Sequence, residues 1–257
     1  MTVTAYRDRV KLRACVIALL AAPILSAEGT FVDLLRNGSA QQVLEAVHDG
    51  ASARASDRTG QTPLMIAAAS NPNPAVILVL LAAGAGVAER DWIGLTPLMY
   101  AASSNPHPQT TQALINAGAD VEDRDFMGVT VLVHAARTNP SPEVIHALVS
   151  AGAAVDRRDS GGMTALMHAA ENNPQPGVLQ ALLDAGAQVN AKNVTGMTPL
   201  LFAAERSRNP EVIRLLLQCG ADAGDVGPGG LTALVLAQGN DGLLGTSAID
   251  ALGGSSP

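Results

Sequence analysis

The chain has 257 residues, 47% of them hydrophobic and 15% charged, with six aromatics, 25 Gly, 15 Pro, two Cys and a formal net charge of -7. Apolar content at this level excludes a disordered acidic tail, the lack of a three-residue Gly period excludes a collagen, and two Cys are too few for a small disulfide-stapled scaffold. Because Ala rather than aromatics carries that apolar content, small helices in close contact are expected.

At the N-terminus Arg7, Arg9, Lys11 and Arg13 stand against Asp8 and precede the apolar run from Ala14 to Leu25. This is the layout of a secretory signal peptide. The run's 12 residues rise about 18 Å as a helix, short of a hydrocarbon core of roughly 30 Å, so a spanning helix is the weaker reading. Cleavage after Ala27 would start the mature chain at Glu28 and place it in the periplasm or outside the cell. Losing four bases and one acid leaves 12 Lys and Arg against 22 Asp and Glu, a net charge of -10. Nucleic acid and anionic membrane surfaces require clustered positive charge, so neither is an expected partner. Only Cys219 remains, and an exported fold without an internal bridge is held by its core.

From residue 57 onward the chain repeats itself. Thr62, Thr96, Thr130, Thr164, Thr198 and Thr232 are each 34 residues apart. Gly stands two before each, Leu two after and Ala five after, and a second Gly series (Gly50, Gly84, Gly118, Gly152, Gly186, Gly220) keeps the same period. A period of this length signifies stacked supersecondary units that bury their faces against their neighbours. In the unit 91–124, Thr96 is a helix N-cap and Pro97 the first helical residue. Leu98, Ala101 and Ala102 share one face. Asn105-Pro106 stops the helix, since the residue before Pro is pushed from the α region. His107 and Pro108 open a second helix, whose Ala113, Leu114 and Ala117 line its inner side, and Gly118 fits a left-handed cap.

These features resemble the ankyrin repeat. Asp-x-x-Gly-x-Thr-Pro-Leu, a following Ala-Ala, and Leu-x-x-x-Gly-Ala-Asp-Val stand whole in residues 91–121, and the frame runs from about Phe31 to the C-terminus. The family's usual His after Thr-Pro-Leu is replaced by Met65, Met99, Val133, Met167, Leu201 and Val235, and the Asn-Pro-x-Pro inter-helix loop resembles a bacterial variety. The resemblance implies an all-α solenoid of stacked helix-turn-helix units with β-turns projecting at one edge, and binding of other proteins. The expected organisation is a signal peptide at 1–27, an N-terminal cap at 28–56 whose first helix is replaced by Phe31–Leu35, five repeats (57–90, 91–124, 125–158, 159–192, 193–226), and a C-terminal cap at 227–257. Leu234, Val235 and Leu236 leave that last cap apolar, so fraying is expected there.

Several residues invite chemistry and have plainer readings. His134 and His168 recur at the position of Ile66, Tyr100, Phe202 and Leu236, which marks a packing slot. Imidazoles half-buried there would weaken the array as pH falls toward 5. Cys219 takes the place of Ala83, Ala117, Ala151 and Ala185 and reads as a small apolar filler. Arg90, Arg124, Arg158 and Lys192 form a basic ladder read as a solvated face. No phosphate loop, nucleophile elbow, metal-ligand spacing or cofactor motif occurs, so no catalytic, metal or cofactor-binding residue is assigned.

The turn tips carry the sharpest signal. Trp92, Ile93 and Leu95 are followed in the next repeat by Phe126, Met127 and Val129, between polar tips at Arg58, Thr59, Gln61 and at Ser160. The sole Trp and one of three Phe lie on turns although the core uses Ala, Leu and Val. An apolar patch with polar surroundings marks an interface. The resemblance adds Ser103, Ser104, Arg137 and Thr138, the two residues after the Ala pair on the first helices. Leu95, Val129 and Met163 half-buried under the next turn would trim this site without moving it. The function expected is a non-catalytic interaction scaffold of the cell envelope; the alternatives are an inhibitor or immunity-type regulator of one exported enzyme or toxin, and self-association through the patch.

Overall fold

The computed structural model describes residues 31–254; the signal peptide and its cleavage point lie outside them. Helices follow in pairs. After the helical stretch 31–37 (α1) come α2 (Ala40–His48), α3 (Pro63–Ser70), α4 (Pro74–Ala82), α5 (Pro97–Ser104), α6 (Pro108–Asn116), α7 (Val131–Thr138) and α8 (Pro142–Ser150). They continue as α9 (Ala165–Asn172), α10 (Pro176–Asp184), α11 (Pro199–Arg206), α12 (Pro210–Gln218), α13 (Ala233–Gln238) and α14 (Ser247–Leu252).

Each first helix begins as expected. The hydroxyl of Thr62, Thr96, Thr130, Thr164, Thr198 or Thr232 accepts from the backbone N–H three residues on, which satisfies one donor the helix leaves unpaired. These helices stack as α3–α5–α7–α9–α11–α13, and the second helices form a parallel row from α2 to α14. Leu98, Ala101 and Ala102 are fully buried between them. The α6 face departs from expectation, because Leu114 is buried but Ala117 is exposed. Thr110 and Thr111 complete the inner side instead, with both hydroxyls buried and unpartnered, where other repeats place pairs such as Val144 and Ile145. A hydroxyl buried without a partner is unfavourable, a cost that α8 with Val144 and Ile145 does not carry.

The N-terminal cap differs from its expected form. Residues 31–37 are helical rather than lacking a first helix, because Leu34 packs against the core and Leu35 is fully buried in it without the Thr-Pro-Leu frame. At the other end α13 and α14 pack on each other and on α11 and α12. Leu243, Ala248 and Leu252 are buried there, while Val235 and Leu244 keep the outer face apolar. Cys219 is no core filler. It is exposed at the C-cap of α12, because residues at this position cap the second helix at the surface.

The Asn of each inter-helix loop does more than stop a helix. Asn105 is fully buried. Its Nδ2 donates to Ala68 O at 3.0 Å and Asn71 O at 2.9 Å in the preceding repeat, while its Oδ1 accepts from His107 N at 3.0 Å. Asn71, Asn139 and Asn173 repeat the arrangement, and Asn240 donates to Ala204 O and Ser207 O. One rung is missing. Ser207 bonds within its own loop, and Asn209 reaches Pro174 O at 2.7 Å instead. Asn139→Ala strands two buried carbonyls and an N–H, so it should cost on the order of 3 kcal/mol by chemical denaturation, and Ser207→Asn should gain about 1 kcal/mol. An unchanged midpoint for Asn139→Ala would show that water replaces the side chain.

Candidate functional site

Hairpin fingers connect the repeats, and Asp57, Asp91, Asp125, Asp159 or Asn193 builds each of the first five. Asp91 Oδ1 accepts from Ile93 N and Leu95 N at 3.0 and 2.8 Å, and Asp91 N donates back to Leu95 O. Asp125 holds Met127 N and Val129 N at 2.9 Å in the same way. Gly94 sits at φ +88°, a left-handed conformation open to Gly. Here a Cβ would also strike the backbone of Phe126 at 2.8 Å, so fingers approach closely. Adjacent fingers are stitched by Trp92 N to Thr59 O at 3.1 Å, Phe126 N to Ile93 O at 3.2 Å and Val194 N to Gly161 O at 3.3 Å.

The basic ladder belongs to this stitching rather than to a solvated face. Arg90 Nη1 donates to Gly94 O in its own finger at 2.9 Å and to Arg124 O in the next at 2.7 Å, and its other nitrogen pairs with Asp123. Arg158 likewise bridges Gly162 O and Lys192 O at 2.9 and 2.6 Å, and Lys192 ends the run on Asp225. Guanidinium has several donors in a fixed fork, so one Arg can hold two backbones at once.

In three successive fingers the Asp uses its second oxygen on the helix below. Asp91 Oδ2 accepts from the Tyr100 hydroxyl at 2.7 Å, and Asp125 Oδ2 and Asp159 Oδ2 lie 3.1 and 2.8 Å from Nε2 of His134 and His168. The packing slot is therefore also a polar strut. Burial, aided by Asp91, pushes the Tyr100 hydroxyl up to about 12, so it stays a donor. For His134, burial lowers the pKa from its ordinary value of 6.5, Arg137 and His168 add to that, and Asp125 opposes it. Among the described residues no group of three His, Cys, Asp or Glu is placed to hold a metal ion.

The patch at the tips is exposed. Trp92 is 73%, Ile93 62%, Phe126 72% and Met127 71% accessible. Leu95, Val129 and Met163 are half-buried against the core, so they support the fingers and the free surface narrows to four residues. Trp92 lies over Gly60 and Phe126 over Gly94, each leaning on the preceding finger. On the inner helices Ser104, Arg137 and Thr138 are exposed and Ser103 is half-buried. The Thr138 hydroxyl donates to Ser103 O at 2.8 Å, which joins the two repeats. Val194, 76% exposed, is an apolar tip absent from the expected set. Its spacing of 34 from Ser160 and 68 from Phe126 would have found it.

Helix pairs stacked in register, with fingers projecting from one edge, define a helical-repeat solenoid. The family model described as ankyrin repeats (3 copies) matches residues 31–125, 102–193 and 175–244, and the chain belongs to the ankyrin-repeat family. Ankyrin repeats mark a protein–protein interaction module, and proteins built from them are generally non-catalytic scaffolds. No curated protein matches the chain. No helix among the described residues is long and apolar enough to cross a membrane.

The direction of the His134 shift fixes a pH dependence. With a folded pKa below the unfolded one, the unfolded chain takes up the proton first, so this stability is full above about 6.5 and is lost as pH falls from there through the lower folded pKa. The thermal midpoint should therefore drop between pH 7 and pH 5, and His134→Phe should flatten the drop. An equal drop in wild type and variant would assign it to other groups.

Proposed function

We propose that the chain is an exported, non-catalytic scaffold of the bacterial cell envelope that holds a protein partner on the finger tips at Trp92, Ile93, Phe126 and Met127. The inner helices extend the contact through Ser103, Ser104, Arg137 and Thr138. Exposure of four large apolar side chains on two adjacent fingers supports this assignment, since burying them in the core would require no place on a turn. Their neighbours Arg58 and Ser160 are polar and exposed, which gives the patch the apolar centre and polar rim of an interface. The basic and apolar order of residues 7–25 supports export.

Trp92→Ala and Phe126→Ala should each weaken partner capture from envelope extracts by on the order of 2 kcal/mol, with little change in thermal midpoint. Equal binding in both variants would move the interface elsewhere. N-terminal sequencing of the native protein should begin at Glu28, and an intact Met1 chain in the membrane fraction would favour an anchor.

A further inference from the structure

Between the last fingers and their first helices a cavity of about 420 Å³ opens, within the roughly 300–1,000 Å³ of ligand pockets. Its apolar lining is Met163, Met197, Phe202, Leu231 and Leu236, and its charged lining is Glu171, Glu205 and Arg206. The sequence explains why it opens here. In the three preceding repeats the finger Asp is bonded to Tyr100, His134 or His168. In the next two, Asn193 and Gly227 take the finger position while Phe202 and Leu236 take the slot, and an apolar slot residue cannot complete the strut. A Cβ on Gly227 would come within 3.1 Å of Met197 Sδ and 3.3 Å of Leu201 Cδ1, so a side chain there would crowd the cavity wall.

The charges on the wall do not balance. Arg206 Nη1 lies 2.9 Å from Glu171 Oε1, and Arg206 Nε lies 3.4 Å from Glu205 Oε2. One guanidinium serves two carboxylates, which leaves a negative charge beside an apolar pocket. We propose that this cavity is a second docking site, separate from the tip patch, which takes one large apolar side chain of an extended partner segment whose adjacent residue is Lys or Arg. The apolar lining receives the side chain, and the surplus carboxylate selects the cation and repels an acidic neighbour.

Methyl-labelled methionine in the full chain places NMR reporters on Met163 and Met197 inside the lining. The probes are two capped tetrapeptides, acetyl-Gly-Leu-Arg-Gly-amide and acetyl-Gly-Leu-Glu-Gly-amide, and decanoate. The Arg peptide should shift both methyls saturably, with the Glu peptide about fivefold weaker or more. Glu205→Gln should shrink that preference, Gly227→Leu should remove the response, and Trp92→Ala should leave it intact. Gly227 has a negative φ, so the Leu is not strained by the backbone. If it nevertheless fails to fold, the exposed Glu205→Gln decides the matter through the peptide preference. Absence of a shift at about 5 mM peptide, equal response to both peptides, an unchanged preference in Glu205→Gln, persistence in folded Gly227→Leu, or a shift with decanoate in place of the peptides would each overturn the proposal.

Discussion

The stack depends on the capping of one helix end by the repeat that follows it. A helix leaves its last carbonyls without intrahelical donors, and here Pro directly after the loop Asn prevents the chain from turning further to satisfy them. Ala102 O and Asn105 O at the end of α5 are met instead by the single amide of Asn139, at 2.8 and 2.9 Å. That amide has two N–H donors and spends both on the neighbour, while its oxygen fixes the start of its own second helix through Ser141 N. Each repeat is thereby completed by the next. An isolated unit would expose its apolar faces and its unpaired carbonyls together, which gives nearest-neighbour coupling a polar cause beside the hydrophobic one.

A second row of polar contacts runs along the finger edge. Arg90 and Arg158 tie the backbone of one finger to the next, and Asp91, Asp125 and Asp159 fasten each finger down to its own first helix. The two rows weaken at the same end. Ser207 interrupts the amide row, Lys192 is the last cation of the finger row with Val226 following it, and the Asp struts stop after Asp159. A cavity opens there, where Phe202, Leu236 and Gly227 replace the contacts that fasten the central fingers to their helices.

Much of the architecture is legible along the chain because helix ends are local events. Thr96, Pro97 and the Gly series mark starts and stops within a few residues, and the structure places the helices accordingly. What escapes are contacts between positions about 34 residues apart. Asn105 looks like a helix stop because that role is local, while its bonds to Ala68 and Asn71 cross a repeat boundary. Arg90 looks solvated because its acceptors are backbone carbonyls, which every residue type carries. His134 looks like packing because Asp125, nine residues before it, already has a local role in its turn, and only the fold shows that the carboxylate has a second oxygen to give. The surface is legible in the same measure: Trp92, Ile93, Phe126 and Met127 are improbable core residues on a turn, whereas the half-burial of Leu95 and Val129 depends on the next finger.

Separating register from recognition follows from these assignments. Finger position is set by backbone bonds, by the finger Asp or Asn and by Arg from the neighbouring repeat; side chains at the two positions after that residue add only a local hydroxyl bond, as Thr59 gives Asp57 and Thr195 gives Asn193. Those positions can therefore hold Arg and Thr at 58 and 59, Trp and Ile at 92 and 93, or Val and Thr at 194 and 195 on the same hairpin. Large apolar side chains can stand 60–70% or more exposed there because polar groups behind them hold the finger, and their own packing contributes little to it. A tip residue is thus free to follow the partner, and the chemistry of the tips, rather than the repeat frame they share, distinguishes one such surface from another.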